Sequence, residues 1–188
     1  VIIPEGMTLS ATSSGNGVSG QIYVLPGGEI TGDGTLEYNT GSGTYSYSAG
    51  TISTMEVRLN GCGLYNSGMI GDRASTSTSL SCVAKDGVQG ELINRGGAWL
   101  QQISGDHFSL KNAANMIISS ELTLSESSCF DDWSYTQCPS LVLNGSAHGD
   151  KVAYMGNGAI IETTDISINN FGVWGPTGSN FSANALLK

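Results

Sequence analysis

Apolar and polar residues alternate over short runs along most of the chain. Tyr45 and Tyr47 alternate with small polar residues across 44–48, and Met55, Val57 and Leu59 share one face of 54–59. Leu122 and Leu124 repeat the pattern in 121–125. A period of two is the signature of a strand with one buried side. Gln21–Leu25 is a further strand, stopped by Pro26-Gly27-Gly28, and short apolar runs at 141–143, 151–155, 159–161 and 166–168 add more. Between 109 and 121, Leu110, Ala113, Ala114, Ile117 and Ile118 keep a helical period, but the β-branched and Ser residues around them favour strands. Residues 8–20 are small and polar and read as a loop or docking arm. No linker separates two compositions, so the expectation is one β-rich domain over 1–188, with 1–20 a flexible or strand-donating arm.

Three phrases resemble one another: Leu36–Gly41, Leu64–Ile70 and Leu92–Leu100. Each is an apolar or aromatic run, then Asn, then Gly two residues later, a combination suited to a tight corner after a strand. Asn39, Asn66 and Asn94 are 27 and 28 residues apart, and Asn115, Asn144 and Asn169 echo them. A turn-and-strand unit recurring every 20 to 30 residues predicts an all-β, single-domain β-solenoid, a parallel β-helix. Short strands at 8–12-residue spacing suit a Greek-key, pilin-like β-sandwich equally well, so that fold is the alternative.

Composition narrows the class of function. Charged residues are 12%, about half the usual share, while 39% are hydrophobic and 27 of 188 are Gly. The net charge is −9, and Arg58, Arg73, Lys85, Arg95, Lys111, Lys151 and Lys188 are scattered singly. Without a basic patch, nucleic acid and anionic membrane surfaces are not expected partners. No run approaches the ~20 apolar residues of a membrane helix. The four cysteines have no zinc spacing. Proximity pairs them as Cys62–Cys82 and Cys129–Cys138, though four cysteines allow three connectivities and four reduced, buried thiols are the other reading. An even cysteine number with few lysines points outside the cytoplasm. Val1 opens the sequence in place of Met, as in a mature secreted protein or a fragment.

The repeated Asn-x-Gly phrases, with Gly32-Asp33-Gly34-Thr35-Leu36, resemble the coils of bacterial extracellular β-helices over about residues 28–170. Autotransporter passengers and filamentous-haemagglutinin-type adhesins are such proteins, and some phage tail spikes are similar. The resemblance implies a thin secreted rod used in adhesion. The chain departs from those families in its short length and in having four cysteines.

The chain carries no phosphate-binding loop, dinucleotide fingerprint, H-E-x-x-H pair or nucleophile elbow. A hydrolytic triad would need His107, beside Asp106, or His148, flanked by Ser146 and Asp150; a polar turn is the simpler reading of both. Asp131 and Asp132 are too close in sequence to face one another as a glycosidase pair. No cofactor is expected; calcium on Asp33, or on Asp131 and Asp132, is the one cation considered. Trp133 and Tyr135, with Asp131 and Asp132, form a candidate glycan-binding segment, against the alternative that Trp133 packs a small loop onto the body.

These observations point away from enzymes and towards an extracellular structural or adhesive subunit. Val1, Ile2 and Ile3 at one end and Leu186 and Leu187 at the other are candidate assembly strands, able to pair with a neighbouring copy. Head-to-tail pairing gives a homopolymer, in a filament or surface layer. The rivals are a homotrimeric phage-tail or capsid-surface protein that binds host glycans and, last, a polysaccharide-active enzyme.

Overall fold

The computed structural model describes residues 1–12, 16–18, 20–41, 43–145, 153–156, 159–169 and 180–187. They form twenty-two strands and no helix, and every strand pairing is parallel. Parallel neighbours stacked coil upon coil are the β-solenoid; a Greek-key sandwich requires antiparallel hairpins. The strands between 108 and 118 take the β alternative to the helical period, as Phe108–Asn112 and Met116–Ile118.

Each coil lays down three strand segments. The first face is an eight-stranded sheet: Ile2–Ile3, Tyr23–Val24, Tyr45–Ser48, Gly63–Asn66, Gly90–Asn94, Phe108–Asn112, Cys129–Asp132 and Ala153–Gly156. The second and third faces belong to one fourteen-stranded sheet, because Glu29–Tyr38, Thr51–Asn60 and Ile160–Asn169 run through the corner between them. The segment expected to be a polar loop contributes Thr8–Ser10 and Asn16–Val18, both paired with Glu29–Tyr38. Stacking on a neighbouring coil supplies the backbone partners that this apolar-poor segment could not find alone.

Register turns the alternation into columns. On the second face, Leu9, Ile30, Ile52, Ile70, Ala98 and Met116 stack inward. On the third, Leu36, Val57, Leu80, Ile103, Leu122, Leu141 and Ile166 do the same. From Ile30 to Met116, and from Leu36 to Ile166, these side chains are buried in one continuous cluster. Each such side chain contributes about 1.5–3 kcal/mol by leaving water.

The first face carries a polar column inside the core. Ser48, Asn66, Asn94, Asn112 and Asp132 occupy one register position and are all buried. Asn66 Nδ2 donates to Asn94 Oδ1 at 2.8 Å, Asn94 to Asn112 at 2.9 Å and Asn112 to Asp132 Oδ1 at 3.0 Å. Asp132 also accepts from Ser134 N at 3.2 Å and from the Thr136 hydroxyl at 2.9 Å. A carboxylate has no N–H to pass onward, and the next coil places Gly156 at this position, so the row closes there. The ladder steps are 28, 18 and 20 residues, so the coil period is irregular.

This column corrects the repeat read from sequence. Asn66 and Asn94 are equivalent, as expected. Asn39 is not: it follows a strand of the third face, where its amide donates to Glu37 and its carbonyl oxygen accepts from Asn60. Asn115 lies in a corner, and Asn144 and Asn169 pair with each other on the third face. The true continuations, Asn112 and Asp132, lack the following Gly. Where that Gly occurs it is required by close approach: a Cβ on Gly68 or Gly96 would lie 2.0 Å from the carbonyl oxygen of the coil below.

All four cysteines are free thiols, so neither expected disulfide is present. Cys62 and Cys82 are both buried; burial chiefly, with Cys62 behind it, pushes Cys82 up to about 12. Cys129 and Cys138 lie on different faces of one coil. Cys129 is on the outward side of its strand and only partly buried, whereas Cys138 points into the core, pushed up to about 11 by burial. Their short sequence separation spans a corner, which turns the two sulfurs apart.

Candidate functional site

The exterior of the first face carries two outward columns. One runs Tyr23, Tyr47, Tyr65, Ile93, Lys111, Asp131. Tyr23 and Tyr47 stack, with centroids 5.6 Å apart, and Tyr65 is tilted by 40° against Tyr47 at 5.8 Å. Tyr23 and Tyr47 therefore turn their ring faces to each other along the rod.

The other column is Tyr45, Gly63, Glu91, Ser109, Cys129. It lines an open groove of about 770 Å³ whose walls include Gln89, His107, Lys111 and Ser127. A short projection over 84–89 forms one side; it is closed by Lys85 and Val88, which exchange backbone hydrogen bonds of 3.0 and 2.9 Å, and is tied down by Gln89 Nε2 donating to Ser127 O at 2.8 Å. Glu91 is the hub. Its carboxylate accepts from the Tyr45 hydroxyl, from Ser109 Oγ at 3.2 Å and from Lys111 Nζ at 2.6 Å. Three partners from two other coils hold it in one orientation.

At the corner bordering the groove, His107 Nδ1 lies 2.6 Å from Asp106 Oδ1. Ligand atoms of Asp106, His107 and Glu126 lie within 4.8 Å of one another, the one place among the described residues where three such groups meet. His107 has φ +52°, Ser127 +53° and Gly61 +57°, because the corner leading into the first face needs a left-handed residue in these coils.

The segment named from sequence as a glycan site is divided by the fold. Asp131 and Trp133 are outside, beside a cleft of about 240 Å³ that also touches Arg95 and Lys111. Trp133 is 52% exposed, so it does not pack a loop onto the body, and its Nε1 donates to Asp131 at 2.5 Å. Asp132 is in the core ladder and cannot meet a ligand; burial raises it to about 6, with donors from Thr136, Ser134 and Asn112 opposing the rise. Strand alternation sends Asp131 and Asp132 to opposite sides of the wall, so they cannot share a calcium ion. Tyr135 belongs to the next face, where its hydroxyl donates to Glu162 at 2.7 Å. Asp33 sits beside a separate small cleft with Ser53, Thr54 and Ser77. Ser146, His148 and Asp150 lie outside the described residues.

No family model, curated protein or solved structure matches this chain. The geometry alone bears on what the molecule does. Sequence reasoning missed Tyr45 and Glu91 as members of a site. The signal was Gly63, a glycine at the start of a strand where alternation calls for an outward side chain.

Proposed function

We propose that this protein is an extracellular structural and adhesive element, a β-solenoid subunit that stacks end to end with copies of itself. The observation that carries the reading is at the first coil. Leu9 occupies the inward column of the second face and is 39% exposed, whereas Ile30, Ile52, Ile70, Ala98 and Met116 above it are 0% exposed. Leu9 belongs to the coil at the edge of the described stack. Val1 and Ile2 add exposed apolar surface at the same edge, at 62% and 67%, while Ile3 is already part of the core. Among the described residues, the strands Ile2–Ile3 and Thr8–Ser10 each pair on one side only. A second copy's coil would bury Leu9 and complete both ladders. At the far end, Leu186 and Leu187 belong to the strand Asn180–Leu187, which pairs with Ile160–Asn169.

The extracellular setting rests on low charge and small-residue turns, since the free thiols remove the disulfide argument for it. Light scattering after size exclusion tests assembly. The wild-type chain is expected to form concentration-dependent oligomers, and Leu9→Asp or Ile2→Lys to give a folded monomer. Removing residues 1–9 is a poor test, because it exposes Ile30 as an equivalent end. A wild-type monomer at all concentrations would overturn the reading, and a closed trimer would favour a tail-spike-like protein instead.

A further inference from the structure

The geometry points to the groove over Tyr45 as a binding site for a neutral saccharide, recognised by stacking on the tyrosine ring. The inference holds whether or not the rods assemble.

Tyr45 lies across Gly63 and reaches its hydroxyl to Glu91, two coils away in the same column. A Cβ on Gly63 would come within 2.3 and 2.4 Å of the tyrosine's Cδ1 and Cε1, so the glycine is the seat of the ring. One face of the ring is against the sheet and the other faces the groove. Four other exterior aromatics differ, and Trp133, also exposed, borders a separate cleft. Tyr23 and Tyr47 stack face to face, Tyr65 tilts against Tyr47, and Trp99, seated on Gly97, is covered by the Arg73 guanidinium at 4.2 Å. Among the described residues, no ring or cation stacks on Tyr45.

A flat ring with a free face, edged by fixed hydrogen-bonding groups, matches a pyranose, whose apolar C–H face stacks while its hydroxyls point sideways. Glu91 supplies acceptors, and Gln89, Ser109, Lys111 and His107 supply donors or mixed groups around the same opening. The charge pattern selects the class. Lys111 is already paired with Glu91 at 2.6 Å, and Asp106 and Glu126 stand by His107 at one end. Among the described lining residues, sulfated, phosphorylated or uronic sugars meet no lysine or arginine without a carboxylate partner, and three carboxylates, Glu91, Asp106 and Glu126, stand nearby.

The test is titration of the 188-residue chain, followed by NMR, with soluble glucan, mannan and galactan oligosaccharides, and with polygalacturonate fragments as the acidic arm. At least one neutral series is expected to bind and the acidic arm not to. Tyr45→Phe keeps the platform and should stay within roughly threefold of wild type. Tyr45→Ala should lose roughly tenfold or more, a difference of about 1.4 kcal/mol. Gly63→Val, which fills the ring's seat from the other side, should match Tyr45→Ala. Trp133→Ala leaves the groove intact and should bind as wild type. Absence of binding by the folded wild-type chain up to about 10 mM of every neutral series overturns the proposal. So does tighter binding of polygalacturonate, or loss of binding in Trp133→Ala with Tyr45→Ala unaffected.

Discussion

Asp132 is a buried carboxyl whose environment pulls in two directions. Burial raises it to about 6 from the usual 3.8, while Thr136, Ser134 and Asn112 donate to its charged form. A folded-state value above the unfolded one means the native protein binds the proton more tightly. The resulting stabilisation is complete below about pH 4 and is lost as pH rises through about 6. Urea unfolding between pH 4 and 7.5 should show wild-type stability falling by about 2–3 kcal/mol at most from this group, and Asp132→Asn should remove that slope. An unchanged slope in the variant would assign it to other groups. The residue scale is also where sequence was least informative. Asp131 and Asp132 are identical neighbours, and only the direction of the strand makes one a surface charge and the other the end of a core ladder. Cys129 and Cys138 fail as a pair for the same reason: nine residues in sequence include a corner.

At the scale of elements, the asparagine ladder and the glycine corners are the features that make one coil fit the next. Asn94 sits mid-row, donating to Asn112 and accepting from Asn66. Asn94→Leu is of similar size, yet it leaves buried amide groups on both neighbours without that partner. Each such group costs about 1–3 kcal/mol, so thermal unfolding should show a marked fall, larger than for Asn39→Leu on the outer surface. The corner glycines predict a different failure. Gly96→Ala places a methyl 2.0 Å from a backbone oxygen of the preceding coil, which side-chain repacking cannot relieve. It should be more damaging than Gly41→Ala, whose Cβ meets nothing within 4 Å although Gly41 has φ +85°. The Asn-x-Gly phrase was legible at Asn66 and Asn94 because ladder and close corner coincide there. It was not legible at Asn112 and Asp132, where the ladder continues but the corner uses Ala114 or Ser134, nor rejected at Asn39, where the same letters serve a third-face turn.

At the scale of the whole molecule, the stack's stability is summed coil by coil. Each copy carries a net charge of −9. End-to-end contact therefore works against long-range repulsion, which salt screens over about 10 Å at 0.1 M. Assembly measured by sedimentation should strengthen from about 0.02 M to 0.3 M NaCl. A weakening with salt would mean that specific ion pairs, and not the apolar edge at Leu9, hold copies together. The groove over Tyr45 and the end at Leu9 lie on different parts of the rod, side and terminus, so adhesion and assembly can be tested separately.

The all-β class, the strand positions around alternating residues, a solenoid repeat and the Asn66–Asn94 equivalence were present in the sequence, which left parallel and antiparallel pairing open. They depend on local chemistry: a period of two, small-residue turns, and Asn with Gly at a corner. Coil register was decided only by the tertiary structure, because coils of unequal length share no fixed period. Register is what puts Tyr45, Gly63 and Glu91 in one column, ends the amide row at Asp132, and separates Asp131 from its neighbour. Contacts between residues 18 to 46 apart in the chain arise from stacking, and stacking leaves no regular mark on the order of residues.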